Sequence, residues 1–261
     1  MTVIALCSAS GAPGVSTTCL GLALAWPRPA LLVEADPRGT QALMTGWFQG
    51  ARPYDTGLVE LALSPLATAD ALREVARPID GTEVRFVAGL RSYAQAPVLR
   101  GVWEPLAGAL AELGDAGTDV LVDAGPLGYP GSPTPLLSAA DLSLLVVRSD
   151  LPALGGARAW AEQVVKEGLW RQAGLVVVGQ GRPYTPREVS QTLGLPVVTH
   201  VAWDPDGAAV YHQGGVPPRR FETSAYLRSL RAAASTITSA AGRLRLTADE
   251  PDDRPRQEVI A

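Results

Sequence analysis

The residues with the most chemical content in this 261-residue chain lie near its start. An apolar run, Val3–Leu6, leads into Ser8-Ala9-Ser10-Gly11-Ala12-Pro13-Gly14-Val15-Ser16-Thr17-Thr18, and a helical segment opens directly after it. A loop of small residues between a strand and a helix N-terminus turns successive backbone N–H groups toward one point. The helix end adds partial positive charge there. The stretch Gly11, Ala12, Pro13, Gly14, Val15, Ser16, Thr17 and Thr18 therefore reads as a cradle for phosphate. Thr17 falls where a hydroxyl ligates Mg²⁺, and Thr18 is placed to touch a phosphate or cap the helix.

Such a loop needs a sheet behind it, and the pattern supplies one. Val3–Leu6, Ala30–Val33, Val84–Ala88, Val120–Val122, Leu142–Val147, Leu175–Val178 and Val197–Val201 are short, near-continuous apolar runs, as expected of strands buried on both faces. Thr17–Ala25, Ala69–Ala76, Val98–Leu113, Ala153–Glu167, Pro186–Leu193 and Glu222–Leu244 alternate with them as helices. The expected fold is α/β, with a mostly parallel central sheet of about seven or eight strands and helices on both faces. Residues 1–246 read as one domain and 247–261 as an acidic, disordered tail. Tyr129–Pro135 reads as a loop.

Composition removes several function classes. The net charge is −4, and the stretch from Asp249 to Ala261, with five carboxylates and two arginines, holds most of it. The near-neutral remainder disfavours a polycationic nucleic-acid clamp. Of 22 basic residues, all but Lys166 are arginine, so a mechanism that needs a lysine elsewhere is excluded. Cys7 and Cys19 form neither a disulfide framework nor a zinc pattern and read as buried small hydrophobes. His200 reads as a core or edge residue of its strand, and His212 as a surface residue of a helix. No 18-residue apolar run is present, and the N-terminus has no basic region before its first strand. A cytoplasmic location is the expectation.

These features together resemble the ParA/MinD family of P-loop ATPases, of the deviant Walker A (SIMIBI) class. The likeness is carried by Thr17-Thr18-Cys19-Leu20-Gly21-Leu22-Ala23, by Glu34-Ala35-Asp36-Pro37-Arg38-Gly39, by Asp119-Val120-Leu121-Val122-Asp123, and by Leu193-Gly194-Leu195-Pro196 followed by Asp204-Pro205-Asp206. The resemblance implies ATP and Mg²⁺ as cofactors. It implies that Asp36 places the attacking water or the metal, and that Asp123 holds Mg²⁺ through water beside Thr17. It puts Gln180, in Gly179-Gln180-Gly181-Arg182-Pro183, where an amide would read the base.

Two departures qualify the likeness. The family's P-loop lysine falls at Ser16 and its signature lysine at Ser10 or Gly11. Pro13 also removes an N–H donor. A charge-assisted lysine–phosphate contact is worth ~1.5–3 kcal/mol, so its loss weakens nucleotide binding by roughly tenfold to a hundredfold. It should harm phosphoryl transfer more. The expectation is a positioning or regulatory protein with weak or lost ATP hydrolysis. The family's roles are DNA segregation, division-site placement, and polar placement of pilus or secretion machinery. A homodimer and a protein partner are implied, and DNA contact through Arg219, Arg220, Arg228 and Arg231 stays open. The acidic, proline-broken C-terminus lacks the family's membrane helix. Two alternatives stand beside this reading. One is an active ATPase with an unorthodox loop, using Arg38, Arg148, Arg182 or a residue in trans. The other is a nucleotide-free scaffold.

Overall fold

The computed structural model describes residues 2–9 and 13–248. Ser10, Gly11 and Ala12 of the cradle and the stretch 249–261 lie outside them.

Among the described residues, one sheet of eight strands runs in the order β3-β4-β2-β5-β1-β6-β7-β8. The strands are β1 (Val3–Ser8), β2 (Ala30–Glu34), β3 (Arg77–Pro78), β4 (Val84–Val87), β5 (Asp119–Pro126), β6 (Leu142–Arg148), β7 (Ala173–Val178) and β8 (Val197–Val201). All pairings are parallel except that of the two-residue edge strand β3 with β4. The seven apolar runs are the seven parallel strands, and the alternation along them explains why each run is continuous. In β1, Val3, Ala5 and Cys7 enter one core while Ile4 and Leu6 enter the other. A strand covered on both sides has no position to give to water.

The covering helices are α1 (Val15–Leu24), α2 (Leu58–Leu63), α3 (Thr68–Val75), α4 (Trp103–Asp115), α5 (Thr134–Ala139), α6 (Leu151–Glu167), α7 (Pro186–Leu193), α8 (Pro205–His212) and α9 (Ala225–Ala248). Helices α2 to α7 pack on one face of the sheet, and α1, α8 and α9 on the other. Helix α9 buries Leu227, Leu230, Ala234, Ile237 and Ala241, the stripe spaced by threes and fours. It begins at Ala225, where the Ser224 hydroxyl accepts the Leu227 N–H at 3.1 Å, and extends through Ala248. The helix thus runs past the expected domain end at 246.

The single helix expected over Val98–Leu113 is two elements. A 3-10 segment, Tyr93–Leu99, contains Pro97, and α4 starts only after Gly101. The expected loop Tyr129–Pro135 ends early, because Thr134 and Pro135 open α5. No helix among the described residues is long and apolar enough to cross a membrane.

The first turns of α1, α6 and α8 lie at the C-terminal ends of β1, β6 and β8, the edge where open α/β sheets bind ligands. The opposite edge is sealed. Asp119, fully buried at the start of β5, accepts hydrogen bonds from Thr2 N (2.9 Å), Trp26 Nε1 (2.9 Å) and Arg28 Nε (2.8 Å).

Candidate functional site

Helix α1 begins at Gly14, whose φ of +82° is a left-handed conformation that suits glycine. No side chain caps the helix, and its first turn has no acidic residue. The first N–H groups of a helix have no partner inside it. Here they face the space in front of the helix. That space is a cavity of about 580 Å³ lined by Pro13, Gly14, Thr17 and Thr18 at one end and by Val178, Ala202, Trp203, Asp204 and Tyr226 elsewhere. A small-molecule site commonly has a volume of this order. A second, smaller cavity of about 50 Å³ adjoins it, bounded by Ser16, Thr17, Leu20, Glu34 and Asp123. Thr17 and His212 line both and so stand at their junction.

Four of the predicted cradle residues, Pro13, Gly14, Thr17 and Thr18, are thus brought together at one cavity. Val15 is not: its side chain is buried in the core beneath α1. Ser16 lines the small cavity beside Asp123, and its hydroxyl favours the charged form of that carboxylate. The residue at the lysine's position thus stands beside a carboxylate of β5.

Asp123 lies within β5, beside Ser16 and Thr17 of α1, and is register partner to Glu34 of β2. Neighbouring strands are about 4.8 Å apart, so two buried carboxylates stand side by side. Burial pushes the Asp123 carboxyl up to about 7, and the charges of Asp36 and Glu34 add to the rise. The Ser16 hydroxyl and the Gly125 N–H, at 3.0 Å, oppose it. Glu34 is likewise raised by burial, although it accepts N–H groups from Gly89 (3.0 Å) and Leu43 (3.1 Å). Those bonds tie two loops to β2, a structural task. Asp36 is buried and held by Arg38, which donates Nε to Oδ1 at 3.0 Å and Nη2 to Oδ2 at 2.6 Å. The Arg38 backbone N–H bonds the same Oδ1 at 2.9 Å.

At the other end, Trp203 separates the large cavity from a third of about 150 Å³ that is lined by Arg148, Ser149, Gly179 and Arg182. The guanidinium carbons of Arg148 and Arg182 lie 5.2 and 5.6 Å from the Trp203 ring centroid. Arg148 is also paired with Asp150 at 2.6 Å. Gln180, expected to read a base, is exposed, and the β7 side of the large cavity is formed by Val178 instead. His200 is exposed on the edge strand β8. His212 ends α8, exposed, with its ring nitrogen 2.8 Å from the Ala208 carbonyl. Arg219, Arg220, Arg228 and Arg231 are exposed, and Arg231 pairs with Glu222 at 3.0 Å.

No protein-family model matches this sequence, and no curated protein matches it. Solved structures do. The septum site-determining protein MinD of Pyrococcus horikoshii, complexed with Mg-ADP, superposes with a TM-score of 0.70 at 17% identity, over 93% of this chain and 98% of that one. MinD in a MinC:MinD complex from Aquifex aeolicus gives 0.72 at 15% identity, over 92% and 96%. A ParA family ATPase from Chlorobium tepidum gives 0.70 at 14%, over 90% and 98%. The fold is that of the ParA/MinD ATPases.

On the ParA/MinD-like frame, the start of α1 and the cavity before it fit a phosphate chain, since no side chain caps the helix and its first turn carries no acid. The oxygens of Thr17 and Asp123 are hard donors of the kind Mg²⁺ takes. No group of three or more metal-holding side chains occurs among the described residues. A divalent ion would therefore be held by those two together with phosphate and water.

Sequence reasoning did not place Trp203 or Tyr226 at this cavity, and it used Asp204 only as part of the family likeness. One signal was available. Asp204-Pro205 is a helix start, and the Asp204 carboxylate does accept the Gly207 N–H at 2.9 Å. That placement would have set Trp203 at the mouth of the site.

Proposed function

We propose that this chain is a ParA/MinD-like positioning or regulatory protein that binds Mg²⁺–ATP and hydrolyses it slowly or not at all. The observation that carries the reading is the helix start at Gly14. It turns a helix start that no side chain caps toward a cavity large enough for a nucleotide, while position 16 offers a hydroxyl beside Asp123 where an ammonium would serve phosphoryl transfer. Binding can rest on backbone donors, Thr17 and the metal. Catalysis cannot rest on them to the same degree, because the charge that develops on the transferred group has no lysine to meet it. Asp36 is moreover bonded through both oxygens to Arg38, which leaves little of it to orient a water.

In this reading the phosphates lie against Gly14–Thr18 and the base lies toward Val178 and Trp203. Exposed Tyr93, Tyr129 and Trp203 all follow C-terminal strand ends, so the same edge offers a surface for a second copy or a protein partner. The partner reading of MinD-like proteins is supported by a solved complex of MinD with MinC. The assigned class of task is placement, whether of DNA, a division site, or polar pilus or secretion machinery.

Thermal denaturation tests the reading. A ligand that binds only the native state stabilises it by RT ln(1 + [L]/Kd), about 2.7 kcal/mol at a hundredfold excess over Kd. Mg²⁺–ATP should raise the melting temperature of the wild type by several degrees, and Thr17→Ala should lose most of that rise. Equal melting with and without nucleotide would leave a scaffold that uses no nucleotide.

A further inference from the structure

Three buried carboxylates, Glu34 at the end of β2, Asp36 just after it and Asp123 in the neighbouring β5, lie within electrostatic range of one another. Buried charge of one sign demands an opposite charge or strong hydrogen bonding. On the α1 side the demand is not met by a cation. Position 16 is serine, and beside it the 50 Å³ cavity opens between Glu34 and Asp123.

On the loop side it is met by Arg38. Its guanidinium grips Asp36 at 3.0 and 2.6 Å, feels the charge of Asp123, and lies 5.9 Å from the centroid of the Tyr129 ring. The loop that carries it is tightly seated. A Cβ on Gly39, whose φ is +67°, would come within 2.7 Å of the Ser92 backbone, and one on Gly125 within 2.6 Å of Asp36 Cγ. Arg38 is therefore a fixed cation. It lies outside both cavities at α1, so it acts on an incoming anion through the carboxylates and not by contact.

We infer that Arg38 is a positioning residue that carries the counter-charge for this carboxylate centre, the task a P-loop gives to an ammonium at position 16, and that admission of a polyanion in front of α1 depends on it. The polyanion part rests on the proposed nucleotide reading, and the counter-charge part does not.

The experiment compares wild type, Arg38→Gln, Ser16→Lys and the double variant, by melting without ligand and by titration with Mg²⁺–ATP. Arg38→Gln should lower the ligand-free melting temperature by several degrees and weaken Mg²⁺–ATP binding at least fivefold. Adding Ser16→Lys should restore at least half of both losses, because the new ammonium enters the space beside Asp123. The hydrogen bonds from Arg38 to Asp36 are not rebuilt by that change, so rescue reports charge. A double variant that melts no higher than Arg38→Gln overturns the inference. If Arg38→Gln alone does not fold, a folded double variant supports it and an unfolded one overturns it. Absence of any Mg²⁺–ATP effect in wild type and Ser16→Lys overturns the nucleotide reading and the polyanion part with it, while the ligand-free rescue still decides the counter-charge part.

Discussion

At the scale of single residues, Asp123 governs how the site responds to pH. Its ordinary value of 3.8 is pushed up to about 7, first by burial and then by Asp36 and Glu34. A carboxyl whose pKa is raised on folding binds its proton more tightly in the native state. Its stabilising contribution is complete below the unfolded value and is lost as pH climbs through about 7. Each tenfold gain in proton affinity on folding is worth ~1.4 kcal/mol, or roughly 3–6 °C of melting temperature in a chain of this size. Without Mg²⁺, wild type should melt lower at pH 8 than at pH 5.5, and Asp123→Asn should remove much of that fall. Calorimetry across the range checks it, and an equal fall in both proteins would contradict it. The sequence showed Asp36 and Asp123 as strand-end acids but not their neighbours. Arg38, two residues from Asp36, reads only as one of three arginines that could serve an unorthodox loop, because spacing in a loop does not reveal which way a guanidinium folds back.

At the scale of elements, the two ends of the sheet have separate tasks. Asp119 at the start of β5 ties Thr2, Trp26 and Arg28 together, far from α1's first turn. Removing one partner of a buried, multiply bonded charge strands the others. Asp119→Ala should cost roughly 3 kcal/mol and leave the affinity of the folded protein for Mg²⁺–ATP within about twofold. Denaturant unfolding and titration together test that separation, and a large loss of affinity at unchanged stability would refute it. The strands were legible because burial on both faces leaves an unbroken apolar run, as in Leu142–Val147. The helices α2 and α5 were not, since six residues span too few turns to show a period, and α8, eight residues like α7, has mostly small or apolar residues and no clear polar face. Trp203 and Asp204, just before α8, line the large cavity, and Gln180, the glycine-flanked amide after β7, is exposed.

At the scale of the whole molecule, the chain keeps the ParA/MinD architecture over at least nine-tenths of its length at 14–17% identity to the structures it resembles. Strand order and the two covered faces persist because they are set by apolar alternation, which many sequences satisfy. The chemistry at the C-terminal edge is set by single residues, and there this chain has arginine at 38 and serine at 16.

The most direct test of nucleotide held without turnover is titration calorimetry of the purified chain with Mg²⁺–ATP, with phosphate release followed on the same sample. A saturable heat that is lost when Mg²⁺ is withheld is expected, with phosphate release at the buffer background. No binding heat, or phosphate released at several turnovers per minute by the isolated chain, would contradict it.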